Sequence, residues 1–270
     1  MKKVVLITGA SSGIGYDTAI ELKEKGFIVY GAARRLDRLN KLKEKDINII
    51  ELDVINEESM SSCVSTIIER EGKIDILINN AGYGSYGAIE NVTMEEARKQ
   101  IEVNIFGLAR MTQLVLPNMR KNKFGKIVNI SSMGGKMYTP FGGWYHATKF
   151  AVEGFSDCLR MEVEPFGIDV IIVEPGGIKT EWGIIAAENL KNSSLGGAYE
   201  NTALDASNHM RQLYSGEKLT SPKVIAKTIC KAVTANKPKT RYLVGYGAKP
   251  AVFLRRILSD RMFDKIIKKL

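Results

Sequence analysis

Histidine, cysteine and long apolar runs are what this 270-residue chain has least of. Its two histidines, His146 and His209, leave no Ser/His/Asp arrangement in view, which argues against a hydrolase of the triad type. The three cysteines, Cys63, Cys158 and Cys230, lie far apart and form no Cys-x-x-Cys pair. That spacing fits buried thiols in a reducing compartment better than disulfides or zinc, so no metal site is expected. No stretch approaches the roughly 18 apolar residues of a membrane-spanning helix, and the opening run 4–7 is too short for a secretory signal. The expectation is a cytoplasmic protein with one domain, because a single parallel α/β sheet of this length needs no second core.

The formal net charge of +9 points towards nucleic acid only until it is located. Residues 249–270 carry seven basic and two acidic side chains, so this tail holds +5 of the total. The remainder has no basic run interleaved with aromatics, and nucleic-acid binding is disfavoured. In the tail, Leu254, Ile257, Leu258, Met262, Ile266 and Leu270 recur near helical period, which predicts one amphipathic helix over 251–270. Such a helix can pack over a pocket or a neighbouring subunit, the reading preferred here, or lie on an anionic membrane surface.

Elsewhere, short runs rich in Val and Ile alternate with stretches of helical period, the pattern of repeated β-α units. Strands are expected at 4–8, 28–32, 47–53, 76–79, 126–131, 169–174 and 242–244, giving a doubly wound parallel sheet of about seven strands, of Rossmann type. Residues 1–248 would form the catalytic domain and 249–270 an added helix. About forty residues between Thr180 and Ser221 exceed any ordinary β-α connection and predict a helical lid over about 181–220. Its Trp182, Ile184, Ile185, Leu190, Leu195, Tyr199, Leu204, Met210 and Leu213 would either cover a lipophilic substrate or pack the lid's own helices.

After the first strand comes Thr8-Gly9-Ala10-Ser11-Ser12-Gly13-Ile14-Gly15, entering a helix near Gly13. Glycines there let the backbone turn sharply and approach a pyrophosphate, and the helix N-terminus offers unpaired N–H groups. At the end of the second strand, where an NAD-binding protein carries an acid for the ribose 2′-hydroxyl, the chain reads Ala32-Ala33-Arg34-Arg35. A guanidinium can bond a 2′-phosphate through two donors, so Arg34, with Arg35 and Ser12, argues for NADP(H), although both arginines could simply be solvated. Asp53-Val54 and Asn79-Asn80-Ala81-Gly82 fall at the carboxyl ends of the third and fourth strands, where open α/β sheets bind ligands. The Asn-Asn-Ala-Gly run reads equally as a turn.

Tyr145 and Lys149 are four residues apart and share a face if helical. With Thr8–Gly15, Asn79–Gly82, Asn104, Ser132 and Pro175-Gly176, in this order and spacing, the chain resembles the compact short-chain dehydrogenase/reductase family over residues 3 to about 245. The segments 34–38, 151–156 and 181–182 resemble its 17β-hydroxysteroid-dehydrogenase-like and retinol-dehydrogenase-like branch. The resemblance implies a tetrad of Asn104, Ser132, Tyr145 and Lys149 that interconverts an alcohol and a carbonyl. Tyr145 would exchange the proton, and Lys149, about 4 Å away, would lower its pKa. Ser132 would orient the substrate oxygen, and Asn104 would hold a water joining Lys149 to solvent. Pro175, Gly176, Ile178 and Thr180 would hold the nicotinamide, or else form a Pro-Gly turn with no ligand contact. The family also implies a homodimer or homotetramer, with contacts around 104–119 and 145–164. Met137, Tyr138, Phe141 and Trp144 could form an apolar wall for a lipophilic alcohol or ketone, or pack in the core. A non-catalytic NADP-sensing protein on the same fold is the alternative.

Overall fold

The computed structural model describes residues 2–268. Seven strands form one sheet in the order β3-β2-β1-β4-β5-β6-β7, and every pairing is parallel. The strands are β1 Val4–Thr8, β2 Ile28–Ala33, β3 Asn48–Glu51, β4 Ile76–Asn79, β5 Gly125–Ile130, β6 Ile168–Pro175 and β7 Arg241–Val244. All seven fall where the apolar runs place them, with ends moved by a few residues. The largest change is in β3, which stops at Glu51 and leaves Asp53 and Val54 in the loop beyond.

Helices α1 Gly13–Glu24, α2 Leu36–Lys43 and α3 Glu57–Glu71 follow the first three strands. After β4 come α4 Met94–Ile101, a π-helical stretch Glu102–Gly107 and α5 Leu108–Lys121 as one rod, and α6 Gly143–Val163 follows β5. Local chemistry sets several ends. Asn56 and Thr93 cap α3 and α4 by accepting from Ser59 N and Glu96 N, and Gly72 ends α3 with a φ of +76°. One apolar layer joins the sheet to α1, α2 and a later helix through Leu22, Leu39, Leu42 and Ile229, and the other joins it to α3, α5 and α6 through Ile67, Val115 and Leu159. Strand order reverses between β1 and β4, so the crevice for a ligand opens at the carboxyl ends of those strands.

After β6 the lid consists of α7 Glu181–Ser194 and α8 Glu200–Ser215, and α9 Pro222–Thr234 then returns the chain to β7. The expected single tail helix is instead two, α10 Ala248–Ile257 and α11 Asp260–Ile267, with extended backbone at Leu258 and a start at Ser259. Its buried anchor is Phe263, which the periodic reading omitted. Met262 and Ile266, assigned to the apolar face, are exposed, and Leu270 lies outside the described residues. The break rotates the second half of the tail, so one helical period cannot describe both halves. No helix among the described residues is long and apolar enough to cross a membrane.

Candidate active site

A cleft of about 1020 Å³ opens at the carboxyl end of the sheet, between the strand ends and the lid. Of the residues singled out from sequence, Gly9, Ser11, Ser12, Gly13, Ile14, Arg34, Arg35, Asp53, Val54, Asn80, Ala81 and Gly82 line it. So do Ser132, Tyr145, Lys149, Pro175, Gly176, Ile178 and Thr180. Gly15 and Asn104 do not, although both support the residues that do.

The glycine-rich turn is built from backbone constraints. Gly9 and Gly13 have φ of +67° and +56°, a region unfavourable for other residues. Gly15 is needed for packing: a Cβ there would stand 2.5 Å from Gly9 O and 2.6 Å from Asn80 Nδ2. Asn80 donates from Nδ2 to the carbonyls of Thr8 and Gly9, each at 3.0 Å, so its side chain locks the turn. Thr8 Oγ1 accepts from Asn80 N and Ala81 N at 3.1 and 3.0 Å. Ser12, the residue before α1, makes no capping bond, and the N–H groups of the first turn remain for an anion. The cradle and the cleft volume fit a dinucleotide with its pyrophosphate at α1. Arg34 and Arg35 are exposed just past β2 and line the cleft.

At the other end of the cleft, Tyr145 and Lys149 project from α6 beside Ser132 at the end of β5. Ser132 accepts from Gly134 N at 3.0 Å and so caps a short turn. Its hydroxyl donates to Pro175 O at 3.5 Å, and although its nearness to Tyr145 favours the phenolate, burial dominates and pushes the Tyr145 pKa up to about 12. Burial brings Lys149 down to about 8, partly offset by Glu153. No hydrogen bond joins Lys149 to the phenol. Lys149 Nζ donates to Ile130 O at 2.8 Å and lies 5.9 Å from the Tyr145 ring centre. In this arrangement the phenol is held protonated.

Asn104 is bonded through both ends of its side-chain amide. Its Nδ2 donates to Tyr83 O at 2.9 Å and Thr148 Oγ1 at 3.1 Å, while Oδ1 accepts from Tyr83 N. The side chain therefore holds the 80–84 loop against α6. The π-helical stretch that carries it is a local widening common at functional sites.

Several contributors were not read from sequence. His146 accepts from Thr139 N at Nε2 (3.0 Å), which places its proton on Nδ1, 2.9 Å from Gly134 O; burial lowers its pKa, and it fixes the 134–139 loop beside Tyr145. Tyr86 and Trp182 pack on Tyr145, with ring centres 5.7 and 5.0 Å away, and Tyr214 adds a third wall. No motif marks Tyr86 or Tyr214, whereas Trp182 is among the lid residues that the sequence singles out. The two uses weighed for the lid's apolar residues divide: Trp182, Ile184 and Ile185 line the cleft, while Leu190 packs with Ala186 and Ala203. Of the four residues considered for an apolar wall, only Met137 lines the cleft. Phe141 packs with the lid cluster and Tyr138 turns to the tail. Cys63 and Cys230 are buried, but Cys158 is exposed, which corrects the expectation for that thiol.

Comparison with known proteins agrees with this geometry. The short chain dehydrogenase family model matches residues 3–190. A 3-ketodihydrosphingosine reductase of Bacteroides thetaiotaomicron is 41% identical over 245 residues, covering 90% of this chain and 88% of the relative. A short-chain dehydrogenase from Streptomyces avermitilis superimposes with a TM-score of 0.80 at 34% identity, covering 94% of this chain and 92% of the other. The closed form of a serine dehydrogenase complexed with NADP+ gives a TM-score of 0.78 at 26% identity, with 90% and 94% covered. The chain is a member of the short-chain dehydrogenase/reductase family and has that family's oxidoreductase architecture.

Proposed function

We propose that the protein is an NADP(H)-dependent reductase of a carbonyl on a lipophilic small molecule, running reversibly through the alcohol. The observation that carries this reading is the placement of Ser132, Tyr145 and Lys149 at one end of a cleft whose other end is a glycine-rich anion cradle flanked by Arg34 and Arg35. A bound nicotinamide supplies hydride to the carbonyl carbon. The chain's own residues handle the proton and the geometry. Ser132 donates to the carbonyl oxygen and orients it, and Tyr145, held protonated by burial, delivers the proton as charge develops there. Lys149 lends positive charge to the emptied phenol; below about pH 8 its ammonium is intact. Pro175, Gly176, Ile178 and Thr180 form the wall against which the nicotinamide would lie, and Arg34 supplies selectivity for the 2′-phosphate.

The substrate class is supported by the apolar surface of Met137, Tyr86, Trp182, Ile184 and Tyr214 around Tyr145. A relative named for reducing 3-ketodihydrosphingosine points the same way. A homodimer or homotetramer through the π-helical stretch, α5 and α6 is part of the proposal; Phe106, Phe150 and Met161 are exposed there. Residues 1–248 would carry the reaction, and the tail would support it from outside.

The test follows NADPH and NADH consumption with a panel of long-chain ketones, aldehydes and quinones, using Tyr145→Phe as control. Turnover with NADPH over NADH that disappears in the variant supports the reading. Turnover that survives the variant overturns the assignment of the acid, and preference for NADH overturns that of the cofactor.

A further inference from the structure

The tail presents two different faces. Inwards, Phe263 is buried against Tyr138, with ring centres 5.3 Å apart, and Tyr138 donates its hydroxyl to Asp264 at 3.0 Å. Arg255 covers both rings and pairs with Asp260 at 2.8 Å. Tyr138 lies between Met137 and Thr139, both lining the cleft, so the hairpin of α10 and α11 is fastened to the active-site wall.

Outwards, the same hairpin leaves Phe253 61%, Ile257 58%, Met262 54% and Ile266 36% exposed. These are large apolar groups on the solvent side of two consecutive short helices. Among them stand Lys249, Arg256, Arg261, Lys265 and Lys268, none of which has a carboxylate partner among the described residues. Both acids of the tail are already engaged, Asp260 by Arg255 and Asp264 by Tyr138. Between β7 and α10 lies a shallow recess of about 530 Å³, lined by Leu243, Pro250, Val252 and Phe253 together with Lys249 and Arg256. Apolar floor and basic side chains in one recess suit an acyl chain below a phosphate.

We infer that the outer face of the α10–α11 hairpin docks the enzyme on an anionic lipid surface, with Phe253, Ile257, Met262 and Ile266 entering the interface and the five basic side chains meeting lipid phosphates. Apolar side chains mixed with unpaired Lys and Arg on one face are what an interfacial helix requires. A second copy of the chain is a poor occupant, because both acids of this face are already engaged and two such faces would bring unpaired bases together with no free carboxylate of the tail between them. Docking would bring the wall at Tyr138 close to the lipid, where a lipophilic substrate partitions. The surface argument stands whether or not the reaction is the one proposed above.

The test uses the full chain in vesicle co-sedimentation, with phosphatidylcholine alone and with phosphatidylglycerol added. Binding is expected only to the anionic vesicles and should fall with salt. Each basic residue near such a surface changes partitioning about fivefold, so Arg256→Gln/Arg261→Gln/Lys265→Gln should lose about a hundredfold. Phe253→Ser/Ile257→Ser should also release the protein, while Met94→Ser, on a distant exposed site, should not. Equal pelleting with and without phosphatidylglycerol overturns the proposal. So does a fall in solution mass of Phe253→Ser/Ile257→Ser by light scattering without any vesicle binding by the parent, which would make the face a contact between copies. NADPH oxidation measured in parallel reports the reaction separately and is expected to persist in both variants.

Discussion

The nucleotide end of the cleft and its lid are built by different rules. At the nucleotide end, backbone meets backbone: Gly9 and Gly13 hold positive φ, Gly15 lies too close to a carbonyl for any Cβ, and Asn80 ties β1 to β4 through main-chain acceptors. In the lid, side chain meets side chain, with Trp182, Tyr86 and Tyr214 enclosing Tyr145 while Leu190 and Ala203 hold α7 to α8. The first kind of contact admits one residue type, whereas the second needs volume and admits several. The nucleotide end should therefore break under small substitutions that the lid absorbs.

Tyr145 belongs to both regions and should show the largest effect. Tyr145→Phe is expected to lower kcat by about 10²–10⁴-fold, the range for loss of a general acid, with the NADPH dissociation constant unchanged by fluorescence titration. The ring still packs on Trp182 and Tyr86, so thermal stability should hardly move. A paired glycine test separates the regions. Gly15→Ala should cost about 1–3 kcal/mol in urea unfolding and weaken NADPH binding. Gly197→Ala, where the nearest atoms would be 3.5 Å away, should be neutral or stabilising by about 0.4–1 kcal/mol. Comparable losses at the two positions would erase the contrast.

The border between the regions has its own signature. Glu174 on β6 and Glu153 on α6 are buried together beside Lys136 and Arg241, with Lys136–Glu153 at 2.9 Å and Arg241–Glu174 at 3.4 Å. Burial first, and the neighbouring Glu153 second, raise the Glu174 pKa to about 7. An acid whose folded pKa exceeds its unfolded value of 4.5 contributes fully below pH 4.5, and that contribution is lost as pH rises through about 7. Glu174→Gln should match the parent near pH 4.5 and exceed it by about 2 kcal/mol above pH 7, as measured by urea unfolding across pH. A constant difference would mean that the carboxyl does not titrate there.

Legibility in sequence follows the same division. The seven strands and the cradle could be read because alternation of apolar runs and positive-φ glycines leave marks that depend on position. Tyr145 and Lys149 could be read because a spacing of four on a helix fixes a shared face. Three things could not. The bond from Lys149 to the Ile130 carbonyl depends on a rotamer that leaves no mark in sequence. The amide of Asn104 is visible in sequence, but its partners at Tyr83 and Thr148 are not. The tail looked like one helix because the break at Leu258 carries neither Pro nor Gly, and Phe263 was passed over for the same reason.

Cofactor choice is the next smaller effect. Arg34→Ala should reduce the preference for NADPH over NADH by about 10–100-fold in kcat/KM while leaving NADH turnover intact, since a bidentate charged contact is worth about 1.5–3 kcal/mol. An unchanged preference would transfer the selectivity to Arg35 or Ser12.

The lid should yield the mildest change, and Trp182 is the place to look for it. Its indole meets Tyr86 edge-on at 5.9 Å, lies 5.0 Å from Tyr145 and 6.2 Å from Tyr214, and rests on Gly84, where a Cβ would come within 2.4 Å of it. Trp182→Leu keeps an apolar group at the start of α7 and leaves the Leu190–Ala203 packing untouched. Lost aromatic contacts of about 0.5–1.5 kcal/mol then fall on the substrate side alone. The expected result is a drop of about tenfold or less in kcat/KM for a bulky ketone, expressed mainly in KM, with NADPH affinity preserved. Should NADPH affinity fall in step, the indole would be shaping the nucleotide cradle as well, and the two ends of the cleft would have to be treated as one constraint.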